Sequence, residues 1–370
     1  MELPAFSAGR AELANAVHDV ARFLPTRTVD PVLTGVLVTA SADGLVLAGT
    51  DRERAVRLSC PTTVHTDGTV LVPGRPLAET LRALADAEVR VAVEGSRLAI
   101  RTSRARFALP LLDVDVHPGV APPPPLAGWV AGALALPAFT SVAGAASKDD
   151  ALPLFTGVRI RAHTDSLRLI ATDRYRMALA ELPWRRAEGA GELDVLVPAG
   201  LLTEIVRQAA GAPEIALHAD VDRAAVAWGD RVVSTALLAT PFPDENRYLG
   251  RTGDASVELA PAELAGAVHR VGLYAGGRGA VTVDLADGEV RVRTDSAELG
   301  EAEESVKASV TGRLSQTYRV RYLLDALRAF GGEQVRLDIR SGMKSTVFSA
   351  DEPDGTMLRY LVMPILPSGR

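Results

Sequence analysis

The chain has one cysteine, Cys60, among 370 residues, so no internal disulfide can form, and no Cys/His spacing suggests zinc. Six scattered histidines offer no catalytic triad, and no phosphate-binding loop, G-x-G-x-x-G, H-E-x-x-H or G-x-S-x-G occurs. The common nucleotide, metalloprotease and hydrolase readings therefore lapse, and no cofactor or metal is expected. Long apolar runs are missing as well. The longest, Leu126 to Phe139, is interrupted by Pro137 and is too short to cross a bilayer. Met1-Glu2-Leu3-Pro4 lacks the basic-then-apolar start of a signal peptide, so a cytoplasmic, non-membrane protein is expected. Positive charge is not in excess: a net charge of −6 argues against adhesion to nucleic acid over the whole surface, while leaving room for a local basic lining. What is present is ordinary globular material, 47% hydrophobic and 23% charged, enough for several cores.

That material repeats. Thr172-Asp173 closes the apolar run Leu167 to Ala171, and the same pair closes runs at Thr50-Asp51 and Thr294-Asp295, with 122 residues between successive copies. A second register agrees: Ala11-Glu12-Leu13-Ala14-Asn15-Ala16-Val17-His18 returns as Ala262-Glu263-Leu264-Ala265-Gly266-Ala267-Val268-His269. Val72-Pro73 likewise returns as Val197-Pro198. Three tandem domains follow, 1–120, 128–245 and 252–370, each of ordinary domain size. Thr172-Asp173 could be imagined as nucleophile and base, but a pair repeated three times is better read as a hydrogen-bonded strand end.

Each copy is expected to be α+β, with two helices and several antiparallel strands. Leu13, Val17, Val20 and Leu24 lay one apolar stripe along a helix from Arg10 to Leu24, and Leu77, Leu81 and Leu84 mark a second. Two strands with a turn at Asp43-Gly44 are expected from Val36 to Leu58, and a hairpin broken at Glu94-Gly95 from Val89 to Leu109. In the second copy Phe139, Val142, Ala143 and Ala146 mark a helix, Leu154 to Leu182 a hairpin, and Leu202, Ile205, Val206 and Ala209 the other helix. In the third, Leu264, Val268 and Val271 pair with Leu323, Leu327 and Phe330. Proline-rich 118–125 is the first linker, and 241–253 the second.

Several phrases occur in one order: Ser147-Lys148-Asp149-Asp150 before Leu154-Phe155-Thr156-Gly157, then Ala171-Thr172-Asp173-Arg174-Tyr175-Arg176-Met177-Ala178, Phe242-Pro243-Asp244 and Tyr360-Leu361-Val362-Met363-Pro364. Along its full length the chain resembles the bacterial sliding clamps, the β subunits of DNA polymerase III. The alanine, arginine and glycine bias hints at a high-GC, actinobacterial source. The resemblance implies three clamp-type domains per chain and a homodimeric closed ring of six domains. Helices would line the hole, duplex DNA would be encircled without regard to sequence, and the chain would have no catalytic residues of its own.

On that resemblance the DNA-facing cations are Arg10, Arg22, Arg75, Arg82, Lys148, Arg207, Arg270, Arg321 and Arg328, with Arg27 just beyond the first helix. Glu79, Glu204, Glu263 and Asp325 dilute them; a solvated helix face is the alternative for any one helix. Few phosphate contacts release few counterions, as suits a sliding protein. The dimer seam would join Arg104, Arg106, Phe107 and Leu109 on one strand edge to Leu273, Glu298, Glu301, Glu303 and Glu304 on another. The alternative there is charge guarding a solvent-exposed edge.

The family also has a pocket for short linear peptides from the replicative polymerase, clamp loader and repair proteins. Carried over by position, it falls on Phe155, Thr172, Arg174, Arg176, Met177, Pro243, Arg247 and Tyr248. Arg278, Arg319, Tyr322, Val347, Leu361, Val362, Met363 and Pro364 complete it. Without the resemblance, Leu361 and Val362 read as core. Two departures stand out: Ile365-Leu366-Pro367 lacks the arginine usual after Met-Pro, and Arg278 and Arg319 replace an aromatic and an asparagine. They suggest a divergent second clamp with altered peptide or inhibitor binding, for example tolerance to a clamp-targeting antibiotic. A non-replicative protein-binding scaffold is the other alternative.

Overall fold

The computed structural model describes residues 4–245, 253–332, 334–351 and 354–366. The chain divides into two compact units, Met1–Gly128 with Glu214–Leu237, and Trp129–Pro213 with Leu238–Arg370.

The first unit holds helices α1 (Arg10–Ala21) and α2 (Gly74–Ala83), which pack on each other. One antiparallel sheet runs in the order Thr63–Thr66, Ala5–Gly9, Glu88–Glu94, Arg97–Arg101, Arg106–Pro110. In another sheet, Glu214–Ala219, Arg223–Trp228, Arg231–Ala236, Arg54–Cys60, Gly44–Thr50, Gly35–Ser41 and Gly68–Pro73 follow one another. The second unit holds α3 (Gly132–Ala143) against α4 (Ala199–Gln208), and α5 (Pro261–Gly272) against α6 (Val320–Arg328). Its nine-stranded sheet carries Ser166–Thr172, Arg176–Pro183, Met357–Val362 and Thr346–Asp351 side by side near its middle. A four-stranded sheet runs Gly300–Lys307, Glu289–Ser296, Ala280–Ala286, Ser315–Arg319.

All six expected helices form, because each stripe has a sheet to cover: Leu13, Val17, Leu81, Phe139, Ile205, Val268 and Leu327 are buried. Five end earlier than their stripes. α1 stops at Ala21, and the chain tightens through Phe23 N–H to Val20 O and Leu24 N–H to Ala21 O before Pro25, which disfavours helix at the residue preceding it. Leu24 stays buried beyond the helix end. Leu84, Ala146, Ala209 and Phe330 likewise lie past the ends of α2, α3, α4 and α6. Where the sequence suggests two strands, the structure has three, Gly35–Ser41, Gly44–Thr50 and Arg54–Cys60; the second copy repeats this with Gly157–Ala162, Ser166–Thr172 and Arg176–Pro183.

Among the described residues no α-helix has a side-chain N-cap, because each begins where a strand ends. In α1, α3 and α6 the first helical amide instead continues a sheet ladder: Arg10 N–H to Ala87 O, Gly132 N–H to Pro213 O, and Val320 N–H to Gly279 O, at 2.8, 2.9 and 2.8 Å. Orphan donors are thus satisfied without the residues that usually announce a helix start. At Gly132 the approach is so close that a Cβ would lie 1.9 Å from Ala212 O.

Candidate functional site

The repeated Thr-Asp pair builds a turn. Thr172 Oγ1 donates to Arg176 O at 2.7 Å and accepts from Arg174 N–H at 3.1 Å. Asp173 Oδ1 accepts from the amides of Tyr175 and Arg176, both at 3.0 Å, and Oδ2 takes Arg176 Nε at 3.1 Å. The clamp forces Arg174 to φ 79°, a left-handed conformation rare outside glycine. Thr50-Asp51 makes the same turn, with Arg52 at φ 80°. Thr294-Asp295 does not: both residues lie inside the strand Glu289–Ser296, and Thr294 Oγ1 donates to Ala280 O across the ladder. The pair is a structural device in two copies and a strand segment in the third.

Beside the second turn lies a cavity of about 180 Å³ lined by Phe155, Thr172, Arg174, Arg176, Met177, Pro243, Ser345, Leu361 and Met363. Its floor is the buried cluster Ile170, Met177, Leu179 and Leu361, with Phe242, Val347 and Met357 packed against it. The floor follows from register: Met177 faces Leu361 across adjacent antiparallel strands, so the two share a face. Arg176 pairs with Val362 in the same ladder, which turns Val362 to the opposite face, fully buried at 0% exposure. Leu361 therefore belongs to the cavity, and Val362, expected there, does not line it. Among the lining residues is Arg174, its guanidinium 5.6 Å from the Phe155 ring centre and 5.8 Å from that of Tyr175.

Arg176, expected as a pocket residue, is among the lining residues and is the cavity's buried cation. It is buried, reaches Asp325 Oδ2 at 2.5 Å and Tyr360 Oη at 3.4 Å, and lies 4.9 Å from the Tyr322 ring centre. Burial pushes the Tyr360 hydroxyl well above its ordinary range, keeping it neutral beside this pair.

A larger groove of about 730 Å³ adjoins, sharing Met363 and lined also by Tyr175, Arg319, Arg321, Tyr322, Asp325, Arg328 and Pro364. Tyr175 stacks on Tyr322 at 6.1 Å and 13°. Arg278 ends the short turn Gly276–Arg278; Arg247 and Tyr248 lie outside the described residues. Tyr175 and Ser345 escape sequence reasoning, since a surface turn tyrosine and an isolated serine carry no periodicity. A usable signal does exist for Phe155: Pro31-Val32-Leu33-Thr34-Gly35 and Pro153-Leu154-Phe155-Thr156-Gly157 stand the same 122 residues apart as the Thr-Asp pairs.

The expected DNA-facing cations differ in availability. Arg207 is tied to Glu204, Arg270 to Glu304 at 2.5 Å, and Arg10 to Asp86 O at 3.3 Å. Arg321 lies 4.8 Å from the Tyr322 ring centre, and Arg22 is exposed. Arg27, Arg75, Arg82, Lys148 and Arg328 are exposed with no carboxylate partner among the described residues. Lys148 sits in the loop after α3 rather than on the helix.

The expected seam residues fall on two sheet edges. Arg106–Pro110 ends the five-stranded sheet, with Phe107 43% exposed and Leu109 half-buried; Arg104 lies in the preceding turn, its amide bonded to Thr102, and not on the strand. Gly300–Lys307 ends the four-stranded sheet, carrying Glu301, Glu303 and Glu304, with Glu298 in the turn before it and exposed Leu273 just past α5. Part of this charge is spent internally. Hydrogen bonds from Arg106 and then Arg101 hold the Glu94 carboxyl below its ordinary range, and Arg270 does the same for Glu304. Among the described residues no group of three or more His, Cys, Asp or Glu could hold a metal, and no helix is long and apolar enough to cross a membrane.

The DNA polymerase III beta subunit N-terminal, central and C-terminal domains match residues 5–121, 137–244 and 247–366. The beta sliding clamp homolog GriR of Streptomyces muensis is 30% identical, covering 97% of this chain and 98% of its own. The beta sliding clamp of Streptomyces coelicolor is 31% identical, with the same coverage. The Pseudomonas aeruginosa DnaN clamp, solved bound to griselimycin, superposes with a TM-score of 0.90 at 26% identity over 99% of this chain and 100% of that one. With three clamp domains, helices on antiparallel sheets and near-complete coverage of its relatives, the chain belongs to the DNA polymerase III beta subunit family, the sliding clamps that make replication processive.

Proposed function

We propose that two copies of this clamp join head to tail into a closed ring around duplex DNA, and that the cavity over Met177 and Leu361 receives short peptides from the replicative polymerase, clamp loader and repair proteins. The ring is carried by one observation, the two open sheet edges. Unpaired backbone groups along Arg106–Pro110 and Gly300–Lys307 are ready to pair with another strand. Exposed Phe107 on one edge suits exposed Leu273 and Leu299 beside the other. Because Glu94 and Glu304 are already paired within the chain, the strand ladder and these apolar contacts outweigh ion pairs at the seam. Each copy contributes three domains, 1–120, 128–245 and 252–370. The sparse unpaired cations touch DNA weakly, giving a shallow salt dependence. The chain performs no reaction of its own and works in the cytoplasm; Thr172-Asp173 is consumed by its turn.

The test is solution mass together with retention on nicked circular DNA. Twice 39.0 kDa and release on linearisation are expected. A single-chain mass, or equal release from circular and linear DNA, refutes the ring and favours a scaffold outside replication.

Arg174 favours a second reading, a clamp whose pocket takes inhibitors differently. Its guanidinium lines the cavity against Phe155, so a ligand larger than the open space of about 180 Å³ meets it there. Griselimycin is the ligand of the Pseudomonas aeruginosa clamp. Titrated against both proteins, it is expected to bind this one more weakly; equal affinity removes the reading.

A further inference from the structure

We infer that the groove beside the cavity selects peptides whose apolar anchor is flanked by carboxylates, an inference that rests on the cavity being a peptide site. Arg319, Arg321 and Arg328 are exposed and line one groove. The acid among the lining residues, Asp325, is engaged by Arg176 at 2.5 Å and so offers the other three little compensation. Among the described residues none of the three pairs with a carboxylate; Arg321 donates to Tyr322 Oη at 3.2 Å. The three guanidiniums, spread over the roughly 13 Å of helix from Arg319 to Arg328, keep spare donors, and each can take one carboxylate in bidentate fashion.

Size sets the division of labour. A cavity of about 180 Å³ holds a side chain or two, below the ~300 Å³ where whole-ligand clefts begin. The adjoining 730 Å³ groove is where the rest of the peptide must lie, along exposed Tyr175. Met363 lines both, so one chain can anchor in the first and lay its charge in the second. DNA phosphate is the competing anion, but a phosphate backbone has no apolar group for the cavity this groove continues into.

The test uses two fluorescent ten-residue peptides, each ending in Leu-Phe, one with four preceding Asp or Glu and the other with Asn or Gln in their places. At low salt the acidic peptide is expected to bind roughly tenfold tighter or more. That ratio should fall toward one in the Arg319→Ala, Arg328→Ala double variant and in high salt. Equal binding of both peptides to the unaltered protein overturns the inference and leaves the cavity reading intact; binding of neither defeats the cavity reading itself. A preference unchanged in the double variant also overturns it. So does a short duplex that displaces the acidic peptide only when both arginines are present, which would assign them to phosphate.

Discussion

Residues 30–35 with 50–55 in the first unit, and 152–157 with 172–177 in the second, are the same backbone device built twice. Thr34 and Thr156 each donate to the carbonyl of a proline three residues back at 2.8 Å. Leu112 N–H meets Leu71 O as Leu238 N–H meets Leu196 O, at 2.8 and 2.9 Å. The outcomes nevertheless differ. In the first unit Leu112 and Val114 pack over Val32, Leu33 and Leu71, and Arg52 is held by Asp30 at 2.7 Å. In the second, Leu152 stands where Asp30 stood, Phe155 replaces Leu33 and Met177 replaces Ala55. Without that carboxylate Arg174 lies over Phe155, and the space over Met177 stays open. A docking pocket thus arises from a few side-chain changes on a turn that elsewhere only closes a strand.

The sharpest difference between the two turns is their last arginine. Arg54 pairs with Asp51 at 2.6 Å with its side chain 42% exposed, whereas the Arg176 side chain is 7% exposed and joins Asp173, Asp325 and Tyr360. Arg176→Ala should cost roughly 3 kcal/mol, since it strands the largely buried Asp173, while Arg54→Ala should cost about 1 kcal/mol or less. Thermal melts of both variants decide this; similar shifts would mean the two turns are energetically alike. A smaller effect follows from restoring the missing acid. Leu152→Asp should draw Arg174 off Phe155, as Asp30 draws Arg52, releasing a contact of ~0.5–1 kcal/mol and tightening a neutral Leu-Phe peptide about two- to fivefold. Unchanged or weaker binding in an anisotropy titration would show that Arg174 does not obstruct the cavity.

Much of this fold is legible in sequence because burial imposes periods. Leu13, Val17 and Val20 mark α1, and the 122-residue step marks the copies. Helix starts are less legible, since carbonyls just ahead of a neighbouring strand satisfy Arg10, Gly132 and Val320 and no capping residue is needed. Alternation alone separates Leu361 from Val362, whereas positional transfer from relatives placed both in the pocket. Neither method finds Tyr175. Its role depends on stacking against Tyr322 from a distant helix, and the first-unit counterpart is Glu53, so even the internal repeat gives no warning.

The finest distinction concerns the strained residue in each turn. A left-handed non-glycine residue costs about 1–2 kcal/mol, and glycine recovers this less the ~0.5–1 kcal/mol it loses in unfolded-chain entropy. Arg174→Gly should therefore stabilise by at most about 0.5 kcal/mol once the ring contacts, worth ~0.5–1 kcal/mol, are given up. Arg52→Gly should gain less or nothing, since it also loses the ion pair to Asp30. Denaturant midpoints for both variants test this. If Arg174→Gly is the more destabilising of the two, then the guanidinium over Phe155 outweighs the backbone strain, and the second unit keeps its arginine for packing as well as for what it excludes.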